Sequence, residues 1–184
     1  MEFSEKILED IIWDNAQSLE GLKLLNQRGL SINGKMFRQV DLGDYGRADL
    51  ISIRYIPQND YLDIVVYELK KGCITVNALM QAARYVTALR SHGFNSDDWN
   101  TEISISICLI GDSIDKNGDF AFLYNELKDV EIYTYDFKLS GIYFNVVGKG
   151  WRRTNERINE ETNAMLTEYV EEQMTKTELD GTDK

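Results

Sequence analysis

The chain has 184 residues, a formal net charge of −11, and 43% hydrophobic against 28% charged residues. That balance fits one folded domain, with or without a tail, and excludes a wholly disordered chain. One Pro, one His and two Cys exclude Pro-rich linkers, a disulfide framework and the common zinc enzymes. No apolar run approaches the roughly 20 residues of a membrane span, and the acidic, amphipathic opening does not read as a signal peptide. The expectation is a soluble protein of a reducing compartment, cytoplasmic, with no membrane partner.

The charge is unevenly distributed. Residues 155–184 hold nine acids and three bases, so they carry −6 of the −11. They read as an acidic C-terminal helix and tail, apart from a domain over residues 1–154. An acidic chain is not expected to attract nucleic acid diffusely, so any such contact must be local.

Residues 4–16 predict a helix, with Ser4 as N-cap, acids in the first turn, and Ile7, Leu8, Ile11 and Ile12 at helical apolar spacing. Gly21 and Gly29 punctuate the stretch that follows. A first strand is expected over Phe37 to Leu42, a turn over Gly43–Gly46, and a second strand over residues 47–56. Gln58, Asn59 and Asp60 make a tight turn before a third strand over 61–71, whose run of Ile and Val suits burial on both faces. Residues 76–91 predict a helix with Leu79, Ala83, Val86 and Leu89 inward. Strands follow over 102–111, 130–138 and 142–148, the last two joined by a turn at Ser140-Gly141, then a final helix over 154–176. The order defines an α/β fold with a mixed sheet.

Chemistry concentrates between the second strand and the second predicted helix. Asp49 lies near the start of the second strand; Glu68 and Lys70 lie near the end of the third and share one face. Adjacent strands run about 4.8 Å apart, so hairpin pairing brings Asp49 towards Glu68. Two such carboxylates repel unless a cation sits between them. Mg²⁺ suits the pair because it takes oxygen ligands and keeps waters, and the Leu69 carbonyl could add another oxygen. A lysine two residues beyond Glu68 can orient or deprotonate a water and offset charge on a phosphorane. Gln81 and Tyr85, four apart on one helical face, offer an amide, a hydroxyl and a ring. Taken singly, each of these residues is as compatible with a solvated strand end or an amphipathic helix as with a site.

The ordered series Gly46-Arg47-Ala48-Asp49, Glu68-Leu69-Lys70 and Gln81-Ala82-Ala83-Arg84-Tyr85 resembles the PD-(D/E)XK nuclease superfamily, in the branch with a RecB-type Gln-x-x-x-Tyr motif. More narrowly it is similar to the C-terminal nuclease domain of NucS/EndoMS endonucleases, over about residues 4–90 and a strand near 102–111. The resemblance implies a restriction-endonuclease-like mixed sheet flanked by helices, with an αβββαβ core. It implies a Mg²⁺- or Mn²⁺-dependent deoxyribonuclease with DNA as partner; a homodimer or a larger nuclease complex is open to it. Asp49 and Glu68 would be metal ligands, Lys70 the catalytic lysine, and Gln81 and Tyr85 positioning groups. An acid of the first helix would join the metal, Glu5 by spacing, with Glu9 one turn later as the alternative. Unlike those endonucleases, this stretch begins at the nuclease-like helix without a preceding DNA-binding domain. A catalytically inactive binding module that works through a protein partner, and a ribonuclease, are the competing readings.

Other residues carry weaker signals. Arg47, Lys71, Arg84 and Lys35 could line a phosphate groove, or be ordinary surface cations. Trp151, among Lys149, Arg152 and Arg153, reads as packing on the sheet, with stacking on a nucleic-acid strand as the alternative. His92 closes a helix, where an imidazole is favoured. Cys73 and Cys108 are expected to be buried thiols. Asp115-x-Asn117-x-Asp119 lacks the closing Glu of a calcium loop and is not counted as one.

Overall fold

A computed structural model describes residues 3–94, 101–120, 127 and 129–148. The predicted final helix, the Trp151 cluster and the acidic tail over 155–184 lie outside the described residues. The elements are α1 (Glu5–Ala16), α2 (Leu19–Gln27), β1 (Lys35–Asp41), β2 (Arg47–Ile56), β3 (Tyr61–Leu69), β4 (Cys73–Ile74), α3 (Val76–Ser91), β5 (Glu102–Gly111), β6 (Ser113–Ile114), β7 (Val130–Lys138) and β8 (Gly141–Gly148). Six strands form one mixed sheet in the order β1-β2-β3-β5-β7-β8; β4 and β6 form a short parallel pair beside it. The neighbours β1–β2, β2–β3 and β7–β8 run antiparallel, while β3–β5 and β5–β7 run parallel. This is a mixed α/β fold, a six-stranded sheet flanked by three described helices, consistent with a restriction-endonuclease-like architecture. No described helix is long and apolar enough to cross a membrane.

The local chemistry explains the elements. Ser4 caps α1 by accepting from the Ile7 amide at 3.3 Å, and Leu8 and Ile12 go fully under. The central strand β3 is covered on both faces, as its apolar run implies, with Ile64, Val65, Val66 and Tyr67 all buried. One face packs Ile51, Ile64, Val66 and Leu109 against Ala78, Ala82 and Tyr85 of α3. The other packs Leu50, Val65, Tyr67 and Cys108 against Leu8 and Ile12 of α1 and Leu25 of α2.

Three expectations need correction. Gly21 does not interrupt the chain but lies inside α2, whose N-cap Ser18 accepts from the Gly21 amide at 3.0 Å. A Cβ there would fall 2.1 Å from the Asn15 carbonyl oxygen, so the glycine permits the close approach of α1 and α2. Gly21→Ala is therefore expected to cost about 1–3 kcal/mol, read as a lower urea midpoint at unchanged slope. Gly29 does end the helix, at φ +96, with its amide on Asn26 and the Leu30 amide on Leu25. The buried stripe of α3 is Ala78, Ala82, Tyr85, Val86, Ala88 and Leu89, with Leu79 and Ala83 only half-buried at its margin. Small alanines let the helix approach the sheet, which turns the tyrosine inward. Cys108 is buried as expected, but Cys73 is exposed, because the two-residue β4 leaves one of its faces open.

Candidate active site at the end of β3

The β2–β3 ladder puts Leu50 opposite Tyr67 and Ile51 opposite Val66. One step further along this register Asp49 faces Glu68. Both carboxylates then lie on the α3 side of the sheet, continuing the faces of Ile51 and Val66. Asp49 Oδ2 accepts from the Leu69 amide at 2.9 Å, which fixes it to the strand end. The Leu69 side chain is buried in the opposite layer. The Lys70 amide donates to the Ile110 carbonyl at 2.8 Å, so the residue after β3 stays tied to β5.

Glu68 is 1% exposed, and its Oε2 receives no hydrogen bond. Its partner is the Lys70 ammonium, an ion pair at 2.6 Å from Oε1. Burial lifts the Glu68 pKa to about 7, helped by the Asp49 and Glu5 charges and opposed by Lys70. Burial also raises Asp49, partly offset by the Leu69 amide and Lys70. For Lys70, burial alone pulls the pKa down, but the pair with Glu68 and the charges of Glu5 and Asp49 outweigh it, so the ammonium is held above its ordinary value.

Glu5 reaches the same strand end from the other layer. Its Oε1 accepts from the Lys71 amide at 3.1 Å. Glu9, one turn on, is committed elsewhere: it is buried, paired with Arg38, and accepts from the Gln39 side-chain amide at 2.7 Å. Arg38 also pairs with Asp10. Gln39 sits at φ +50, between the paired residues Arg38 and Val40 of β1. The Glu9 charge still contributes to lifting Asp49.

From α3, Gln81 Nε2 donates to Tyr85 Oη at 2.8 Å. Tyr85 is buried, and burial raises its pKa, with the charges of Glu68 and Asp49 adding to the effect. A Cβ on Gly46, at φ +101, would lie 3.5 Å from the Tyr85 ring, so the glycine three residues before Asp49 borders that ring. Asp49, Glu68, Lys70, Glu5, Gln81 and Tyr85 thus converge from four elements on one end of the sheet. Arg84 and Lys71 are exposed beside it. Arg47 is exposed and pairs with Asp41 at 3.4 Å. Lys35 is not brought there: it pairs opposite Ile53, four residues along β2 from Asp49, with its amine over Phe37. His92 caps α3, its Nδ1 2.7 Å from the Ala88 carbonyl. Asp115 accepts from the Asn117 and Gly118 amides, so its carboxylate closes a turn.

Sequence reasoning missed Tyr135, whose hydroxyl donates to the Lys71 carbonyl at 2.5 Å, and the Arg38–Glu9 pair behind Asp49. Both depend on contacts 64 and 29 residues apart, for which strand or helix periodicity gives no signal.

The donor set can be tested against a divalent cation. Among the described residues no three His, Cys, Asp or Glu side chains stand close enough to cage an ion alone. Asp49 and Glu68 supply hard oxygens, and Mg²⁺ characteristically takes one or two carboxylates and keeps its waters. Glu68 is a buried carboxylate with the Lys70 ammonium on Oε1 and no donor on Oε2, which leaves an oxygen for a cation. The residues fit Mg²⁺ or Mn²⁺, with Lys70 as the competing positive charge. Comparison with family models, with curated proteins and with solved structures returns no match.

Proposed function

We propose that the protein is a metal-dependent nuclease that hydrolyses phosphodiester bonds of DNA, in keeping with its resemblance to the PD-(D/E)XK superfamily. The observation that carries this reading is the buried Glu68, short of hydrogen-bond donors, set opposite Asp49 and paired with Lys70. Such a group is costly to bury and is a mark of a working site. Asp49 and Glu68 would hold Mg²⁺ or Mn²⁺, with the Leu69 carbonyl as a further oxygen; Glu5, which accepts from the Lys71 amide, would add its charge from the other layer and not a third carboxylate ligand in the arrangement seen here. When bound, the ion would polarise the phosphate and lower the pKa of a water.

The chain's own residues supply the rest. In the metal-free protein Lys70 is held as an ammonium by its pairing with Glu68 and the charges of Glu5 and Asp49, and in that form it would donate to water and to phosphate oxygen. A water oxygen bonds to phosphorus as the bond to the leaving sugar oxygen breaks, and a water proton ends on that oxygen. Gln81 holds the Tyr85 hydroxyl beside the acids. Arg84, Lys71 and Arg47, the last paired with Asp41, are exposed cations that would meet backbone phosphates, contacts that position a strand without reading its sequence. A homodimer or a larger nuclease complex in a reducing, cytoplasmic compartment is part of this proposal.

The test is cleavage of labelled single- and double-stranded DNA, with RNA alongside, in Mn²⁺ and in chelator. Metal-dependent cutting of DNA is expected; cutting of RNA alone would make the protein a ribonuclease. A second reading has its own observation: Lys70 already neutralises Glu68 in a chain of net charge −11. A nuclease-fold binding module with no turnover would keep that ion pair permanently. Calorimetry separates the two, because the module binds no Mn²⁺.

A further inference from the structure

The backbone of Lys71 is held on both sides of its Cα, through two consecutive peptide units. Its N–H donates to Glu5 Oε1 at 3.1 Å, and its carbonyl accepts from Tyr135 Oη at 2.5 Å. Tyr135 comes from β7, two strands away from β3 in the sheet order. Its ring is fixed by Phe3, with centroids 5.4 Å apart, and by Phe137 at 5.8 Å. Phe3 lies two residues before Glu5, so the same aromatic group anchors the start of α1. The phenol is 6% exposed, and burial pushes its pKa up to about 12, with Asp112 and Glu5 adding to the effect. It therefore remains a hydrogen donor at any working pH. Next to it, the Asp112 amide donates to the Gly72 carbonyl at 3.1 Å, which holds the following peptide to the end of β5.

We infer that Tyr135 is a positioning residue: by holding the Lys71 carbonyl it fixes the backbone whose preceding N–H meets Glu5, and so sets Glu5 and Lys70 relative to Asp49 and Glu68. The inference rests on the reading of those acids as a metal centre. Groups that orient ligands from behind are commonly worth about 10–100-fold in metal affinity or activity. Tyr135 touches none of the reacting atoms; it acts through one carbonyl. Its ring contacts are independent of its hydroxyl, so Tyr135→Phe removes the clamp and leaves the packing.

The experiment compares the wild-type 184-residue chain with Tyr135→Phe. Tyr133→Phe serves as control, because it removes a hydroxyl of the same strand, one that donates to Glu131 at 3.1 Å. Three quantities are read: hydrogen exchange at the Lys71 amide, Mn²⁺ affinity by calorimetry, and thermal unfolding. Tyr135→Phe is expected to speed Lys71 exchange and weaken Mn²⁺ binding, each about tenfold, and to melt within about 2 °C of the control. Unchanged exchange and affinity overturn the inference. So does a variant that melts well below Tyr133→Phe, since the hydroxyl is then a general prop. A wild type that binds no Mn²⁺ removes the metal-centre reading instead, and Lys71 exchange alone then decides whether the clamp exists.

Discussion

Glu68→Gln is expected to lower metal-dependent cleavage about 10³-fold and to abolish Mn²⁺ binding, whereas Lys70→Ala loses most cleavage but keeps the metal. The split follows from the ion pair. Glu68 is buried, offers hard oxygens, and has the Lys70 ammonium 2.6 Å away as counter-charge. Gln keeps the volume but removes the charge that would hold a cation. Alanine at position 70 removes the competing ammonium, so Mn²⁺ should bind at least as well as in wild type. On the proposed reading it also removes the donor that would orient water and offset phosphorane charge, which is worth about 10²-fold or more. Lys70→Ala additionally strands a buried carboxylate, so the metal-free variant should be less stable, and Mn²⁺ should restore it. Were both variants to cleave at wild-type rates, the proposed site would be wrong.

What the sequence disclosed, and what it hid, follows from the range of the forces involved. The limits of β2, α3 and β5 were legible because each is a run of one period, with the turn over Gly43–Gly46 before β2 and Gly111 at the end of β5. Asp49, Glu68 and Lys70 could be placed together because a tight turn at Gln58-Asn59-Asp60 fixes the hairpin register within a residue. Helix α2 was hidden because its glycine serves packing against Asn15, and in isolation such a residue reads as a breaker. Burial of Tyr85 was one of two readings the sequence left open, because Leu79 competes with it for the core and only the approach allowed by Ala78 and Ala82 decides between them. Glu5 and Glu9 share spacing and charge. Arg38 and Gln39 occupy Glu9, and the Lys71 amide is left to Glu5, and no helix pattern contains that information. The site is thus written in the chain as a set of residues, while the connections that hold the set in place are tertiary.

Those connections carry a stability cost that pH exposes. The metal-free protein is expected to lose stability as pH rises from about 5 to about 8. Glu68 titrates near 7 when folded, above its ordinary value of 4.5. Below 4.5 it is protonated in both states and costs nothing. Between the two values the unfolded chain releases the proton while the folded chain retains it. The folded state then binds more protons, and stability falls with pH. Above 7 the full penalty is present, on the order of 3 kcal/mol. Asp49 is raised in the same sense and adds to the slope. Lys70 is raised above 10.5, so the stability it lends is fully present throughout this window and is lost only at higher pH. Asp10, lowered chiefly by Arg38, contributes above its ordinary value and is lost only in stronger acid. Urea midpoints at pH 5, 6, 7 and 8 measure the slope, and Glu68→Gln should flatten it. Mn²⁺ should stabilise most at pH 8, where the carboxylates are ionised, and so reverse the trend. A wild type with a flat profile and no response to Mn²⁺ would show that Glu68 is an ordinary ionised partner of Lys70, and the strongest argument for a metal centre here would be gone.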